Sequence, residues 1–481
     1  MGHNFMRHRY IERIYERNTI IFLISIVFLG MLLAGCGTES PTSSNITYPS
    51  STTENAPNSS SVASSTSHSS NSSEAISNNQ TPSTNSVSNS SSTGENSSTD
   101  ESNSNEGNNI KGENDPIKDK IKEMNMEEKL GQLVMVGLDG YSIDDNAKTF
   151  ISSYKVSGFI FFSRNIESQQ QCLELANSLK AFNEESSNIP LLLGVDEEGG
   201  RVSRLPTQYK KLPTNQKIGS INNTEFSREI GEILGQQVNS LGLNLDFAPV
   251  MDIMSNPKNT VIGNRSFGNN ADVVTSLGLS THDGIKSQNV IPVIKHFPGH
   301  GDTTVDSHVG LPVVTKSLDQ LSKLELIPFE AAINNGADVV MVSHILMQKL
   351  DSKYPASFSK AIITDLLREK MGFKGVVITD DITMGAVTKN YALGDMAVKS
   401  LQAGSDIILI CHDFDKQVEV LNSIKSAVEN GEISEQYIDE KVYRILSLKE
   451  KYSVSNSPVA SIDVNEINSK LASILQKYSK K

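Results

Sequence analysis

Cysteine is scarce in this 481-residue chain, which has three, at positions 36, 172 and 411. With Cys36 in a leader-like segment, the count allows one bridge, Cys172 to Cys411, and excludes a disulfide framework. Net positive charge is lacking as well. The formal net charge is −13 and the isoelectric point about 5.3, so no basic face is expected and nucleic acid is excluded as a partner. The apolar run Thr19–Leu33 has about 15 residues, where a bilayer-spanning helix needs roughly 20. Residues 37–109 hold hardly any large apolar side chain. Such a stretch cannot bury enough surface to offset its chain entropy.

What is present begins with an address. Arg7, Arg9, Arg13 and Arg17 precede the apolar run, which ends in Leu33-Ala34-Gly35-Cys36. This resembles the lipobox of bacterial lipoproteins, which implies cleavage ahead of Cys36 and acylation of its thiol. An uncleaved signal anchor with an incidental cysteine is the other reading. Residues 1–35 are thus expected to be a lipoprotein signal peptide. Residues 36–112, rich in Ser, Asn and Thr, are expected to be a disordered tether. A random coil of that length spans roughly 45–50 Å, at about 5–6 Å times the square root of its residue number. The protein would then sit at the outer face of a bacterial cytoplasmic membrane, held there by its lipid.

From Asp115 onward, short apolar runs alternate with amphipathic stretches, the pattern of repeated β/α units. Strands are expected at 132–136, 158–162, 191–196, 244–250, 290–297, 338–344, 375–381 and 406–410, with helices between them, including 224–241, 318–334 and 360–370. The strands are apolar almost throughout, as in parallel sheets covered on both faces. Residues 113–455 are therefore expected to form a single (β/α)8 TIM barrel, a fold of about 250 to over 400 residues. Residues 456–481 would add a C-terminal helical tail. A doubly wound open sheet is the alternative. Several strands end in charged residues: Asp196, Lys295 and His296, His344, Asp380 and Asp381. In a barrel those ends build the active site. Asp252, just past the fourth strand, could equally brace a loop or touch substrate.

The densest segment is Lys295-His296-Phe297-Pro298-Gly299-His300-Gly301-Asp302-Thr303-Thr304-Val305-Asp306-Ser307-His308. Three other pieces accompany it in order: Val195-Asp196-Glu197-Glu198-Gly199-Gly200-Arg201-Val202, Asn264-Arg265-Ser266-Phe267 and Ile378-Thr379-Asp380-Asp381. Together they resemble glycoside hydrolase family 3, in its β-N-acetylhexosaminidase branch. The resemblance implies a retaining hydrolase that releases terminal non-reducing β-linked N-acetylglucosamine from peptidoglycan fragments or related glycans. It implies Asp380 as nucleophile and His308 as general acid/base, paired with Asp306. It implies that Asp196, Arg204, Arg265, Lys295 and His296 hold the hydroxyls of the terminal sugar. No cofactor and no metal are called for, and a monomer is expected.

The residue chemistry fits these roles. A retaining glycosidase needs a carboxylate to attack the anomeric carbon and a proton donor for the leaving oxygen. Histidine, with an unperturbed pKa of about 6.5, gives and takes a proton near neutrality. An aspartate two residues earlier would orient it, as in serine hydrolases. Many β-glucosidases of the family take the acid/base from a domain after the barrel, whereas residues 411–481 leave room only for a closing helix and a tail. Two other enzyme classes use similar groups. A phosphorylase would put phosphate in place of water, and a metal-dependent barrel hydrolase would use His296, His300, Asp302, Asp306 and His308 as ligands.

Overall fold

The computed structural model describes residues 115–307 and 310–479. The expected signal peptide, the lipidation site Cys36, the whole of the expected tether and the acid/base candidate His308 lie outside the described residues.

Eight strands form one parallel sheet: β1 Val134–Gly137, β2 Gly158–Phe161, β3 Leu192–Val195, β4 Leu245–Asp246, β5 Ile291–Phe297, β6 Val339–Val342, β7 Val376–Thr379 and β8 Ile408–Ile410. Neighbours run β8-β1-β2-β3-β4-β5-β6-β7. The edges β7 and β8 meet through a parallel bridge between Ile378 and Ile407, with the Thr379 N–H donating to the Ile407 carbonyl at 3.1 Å. The sheet is therefore a nearly closed barrel, of the expected (β/α)8 type rather than an open sheet. Its interior is filled. At Gly194 a methyl group would meet Met135 Cε at 2.9 Å, Leu245 Cδ2 at 3.0 Å and Phe247 Cε2 at 3.1 Å.

Most expected elements differ by a residue or two at their ends, and three differences have a local cause. Gln132 belongs to helix Met126–Gln132, which a capping box at Asn125 and Glu128 starts early enough to take in the residue expected to open β1. The fourth strand was expected over 244–250 but pairs regularly only at Leu245–Asp246. Pro249 has no N–H to give the ladder, and beyond it the Met251 N–H reaches the Lys295 carbonyl at 2.6 Å. The helix expected over 318–334 is two helices, Leu318–Ser322 and Ile327–Asn334. Pro328 sits in the first turn of the second, where a missing N–H costs nothing, and would break a continuous helix.

The helix Pro116–Glu123, capped by Asp115, lies at the barrel end from which the strands start. Lys120 Nζ reaches the Asn188 carbonyl ahead of β3 at 3.0 Å. Nearby, Lys449 Nζ of helix Glu435–Lys451 bonds the Ser157 carbonyl ahead of β2 at 3.1 Å. The last helix, Val464–Tyr478, docks on helix Thr224–Ser240, with Tyr478 against Phe226 at 4.7 Å between ring centroids. Its Ile467 and Leu471 are buried and together contribute on the order of 3–6 kcal/mol, an upper bound from area transfer.

Candidate active site

The site opens where the strands end. Its cavity is lined by residues that follow six strands, among them Phe162 after β2, Asp196 and Glu198 after β3, Arg265 after β4, His300 after β5, Asp380 and Asp381 after β7, and Cys411 and His412 after β8. The long, register-shifted strand β5 carries two further lining residues within itself, Lys295 and His296.

A charge cluster occupies the floor near β3 and β5. Lys295 Nζ lies 2.5 Å from Asp196 Oδ1 and 2.8 Å from Glu198 Oε1. Glu198 also receives a two-pronged bond from Arg265, at 2.6 Å from Nη2 and 2.8 Å from Nε, the strong planar geometry of this pair. Burial alone would raise the Glu198 carboxyl, but Arg265 and Lys295 hold it far below the usual carboxylate range. Burial would likewise lower the Lys295 ammonium, yet Asp196 and Glu198 keep it above its ordinary value. Two cations thus balance two carboxylates, and each group is fixed in place before any ligand arrives.

Asp252 braces two histidines from below. Its Oδ2 is 2.6 Å from His296 Nδ1, and its Oδ1 accepts the His300 N–H at 2.6 Å. Burial pushes this carboxyl up, but His296 and His300 bring it down below its ordinary value. His296 Nε2 faces Arg265 Nη2 at 3.2 Å. Because the guanidinium only donates, Nε2 accepts and the ring proton sits on Nδ1, toward Asp252. His300 bonds Thr303 through Nδ1 at 2.8 Å and Ser307 through Nε2 at 3.3 Å. Burial and the neighbouring His296 lower it to about 4. The nitrogens of both rings are thus already engaged by protein groups.

β7 lies across the barrel from β3 in the strand order and carries the other half of the site. Asp380 Oδ1 accepts the N–H of Asp381 at 2.9 Å. The Asp381 carboxylate holds the Thr383 N–H and hydroxyl and the Cys411 N–H. It braces the loop, with His412 Nε2 at 3.9 Å. His412 packs on Phe162, which also lies beside the guanidinium groups of Arg164 and Arg204.

Of the expected site residues, Asp196, Arg204, Arg265, Lys295, His296 and Asp380 all line this one cavity. The Nε of Arg204 is buried with no protein partner. Asp306 lies in the loop after β5, near enough to Arg201 to act on its charge. Its pairing with His308 falls outside the described residues. The sequence reading did not assign Glu198 its place at the centre of the charge cluster, nor name Phe162 or His412. A buried pair below the cavity also went unnoticed. Asp246 Oδ1 accepts the Glu197 N–H at 3.1 Å. Burial and mutual repulsion raise Asp246 well above its usual range, and burial raises Glu197 to about 7. The two cysteines Cys172 and Cys411 are both free and buried.

The arrangement suits a polar ring-shaped ligand. Fixed donors and acceptors face one another across β3 and β5, and a carboxylate waits on the far wall.

Comparison with known proteins agrees. The profile of the glycosyl hydrolase family 3 N terminal domain matches residues 125–448. A beta-hexosaminidase A from Pseudoalteromonas piscicida is 33% identical over 64% of this chain, which spans only 56% of that protein's length. A beta-hexosaminidase from Nitrosomonas eutropha is 32% identical over 67% of this chain and 93% of its own. Among solved structures, a glycoside hydrolase family 3 beta-N-acetylglucosaminidase from Paenibacillus superposes with a TM-score of 0.70 at 39% identity, covering 74% of this chain and 69% of that one.

Proposed function

The chain belongs to glycosyl hydrolase family 3, and from that premise we propose that it removes terminal β-linked N-acetylglucosamine from peptidoglycan fragments or related glycans, with retention of configuration. One observation carries this reading: an ordered carboxylate, Asp380, stands across the cavity from the Asp196–Lys295–Glu198–Arg265 cluster. The cluster and His296 hold the sugar hydroxyls, and Arg204 closes on the sugar from the loop after β3. Asp380 then attacks the anomeric carbon. The bond to the leaving oxygen breaks as His308, oriented by Asp306, gives that oxygen its proton. The resulting glycosyl ester is opened by water, which passes a proton to His308 as its oxygen bonds to the anomeric carbon. The Asp381 N–H, 2.9 Å from Asp380 Oδ1, holds one oxygen of the nucleophile in place.

The assignment is tested with a mechanism-based fluorinated sugar and peptide mass spectrometry. The label is expected on Asp380, and Asp380→Asn is expected to fold, lose nearly all turnover and take no label, because an amide cannot form the ester. A label on Asp381 would shift the nucleophile by one residue. Products analysed with and without phosphate separate hydrolysis from phosphorolysis. Leu33-Ala34-Gly35-Cys36 further supports acylation at Cys36 and residence at the outer face of the cytoplasmic membrane.

A further inference from the structure

His344 follows β6 and is fully buried. Its two ring nitrogens make different bonds. Nε2 lies 3.0 Å from the backbone carbonyl of Asp381, and Nδ1 lies 2.6 Å from the Ser357 hydroxyl. A carbonyl only accepts, so Nε2 carries the proton and Nδ1 accepts from Ser357. Burial lowers the pKa of this ring, which keeps it in that neutral form.

The bond to Asp381 reaches the nucleophile by a short route. Asp381 is held at its carbonyl by His344 and at its side chain by Cys411 and Thr383. With both ends fixed, its own N–H points at Asp380 Oδ1, 2.9 Å away. That bond holds one oxygen of the Asp380 carboxylate. The Asp380 N–H is tied separately to the Val342 carbonyl of β6 at 2.9 Å. Ser357, in the turn Ala356–Phe358, fixes which ring nitrogen holds the proton.

We propose that His344, set by Ser357, is a positioning residue that holds the Asp381 peptide and through it aims the Asp380 carboxylate at the anomeric carbon. The inference rests on Asp380 being the nucleophile. It assigns His344 no contact with substrate, so its loss should slow chemistry and leave sugar binding intact. A misplacement of about 1 Å in a reacting group costs up to about 100-fold in rate.

The test compares wild type with His344→Phe, His344→Gln and Ser357→Ala, using a nitrophenyl N-acetylglucosaminide and the fluorinated sugar. Glutamine can return an N–H near the position of Nε2, whereas phenylalanine cannot. His344→Phe is expected to lower kcat and the labelling rate about 10- to 100-fold, with the inhibition constant for N-acetylglucosamine within about twofold. His344→Gln should recover most of this loss, and Ser357→Ala should show a smaller loss of the same kind. Undiminished kcat in His344→Phe overturns the proposal. So does weakened binding of N-acetylglucosamine in step with kcat, which would mean a collapsed site. If the phenylalanine variant does not fold, the other two decide: wild-type kcat in both overturns it. Wild-type labelling away from Asp380 overturns the nucleophile assignment and this proposal together. Labelling at Asp380 at an unchanged rate in the variants overturns this proposal alone.

Discussion

Replacing Asp252 by asparagine should disable the site without touching a residue that faces the sugar. Asp252 accepts the hydrogen bond of the His296 Nδ1–H, which leaves Nε2 to accept from Arg265. An asparagine that keeps its oxygen on the His300 N–H turns its amide nitrogen toward His296 Nδ1. That nitrogen must now accept, so the ring proton moves to Nε2 and opposes the Arg265 N–H. The opposite amide orientation instead sets a donor against the His300 N–H. One charge-assisted bond is lost either way, at about 1.5–3 kcal/mol, and a donor–donor contact adds to it. A total of about 2–4 kcal/mol corresponds to a loss of about 30- to 1,000-fold in kcat/KM. The assay is steady-state turnover of a nitrophenyl N-acetylglucosaminide, with the inhibition constant for N-acetylglucosamine and a thermal melt alongside. Asp252→Asn within about threefold of wild type in kcat/KM would refute the tautomer argument.

Three further outcomes are expected. His308→Ala should lose about 10²–10⁴-fold in kcat/KM on a disaccharide and far less on the nitrophenyl glycoside, whose leaving group needs little protonation; equal losses would make His308 a loop or sugar holder. Glu197, raised by burial from 4.5 to about 7, keeps in the folded state a proton that the unfolded chain releases, so wild type should lose stability as pH rises through that window, by about 3 kcal/mol from this group. The Tm of Glu197→Gln relative to wild type should therefore rise between pH 5 and pH 8, and a constant difference would show that Glu197 is not held protonated. Cys36→Ser should move the protein from the membrane fraction to soluble or unprocessed forms, and an unchanged fraction with a normally cleaved N-terminus would exclude acylation.

All eight strands could be read from the chain because each is a short apolar run buried on both faces, a property of the run itself. Their limits were less legible. Pro249 shortened the fourth ladder and Pro328 divided a helix, both through the missing N–H, and Asn125 drew Gln132 into a helix by capping it. Six of the expected site residues converge on one cavity because strand ends gather at one rim, which topology alone dictates. The bracing was illegible for the opposite reason. Asp252 meets His296 across 44 positions, and His344 meets Asp381 across 37, contacts that no local pattern encodes. The raised pKa values of Glu197 and Asp246 likewise arise from burial and mutual approach, which only the folded barrel brings about.

The placement of helix Pro116–Glu123 has a mechanical consequence. It sits where the strands begin, with Lys120 on the carbonyl of Asn188, while the catalytic rim lies where they finish. A tether running ahead of Asp115, as the sequence leads one to expect, would therefore pull on the end of the barrel opposite the cavity. If the proposed acylation at Cys36 holds, an enzyme moored that way would present its cavity away from the attachment point.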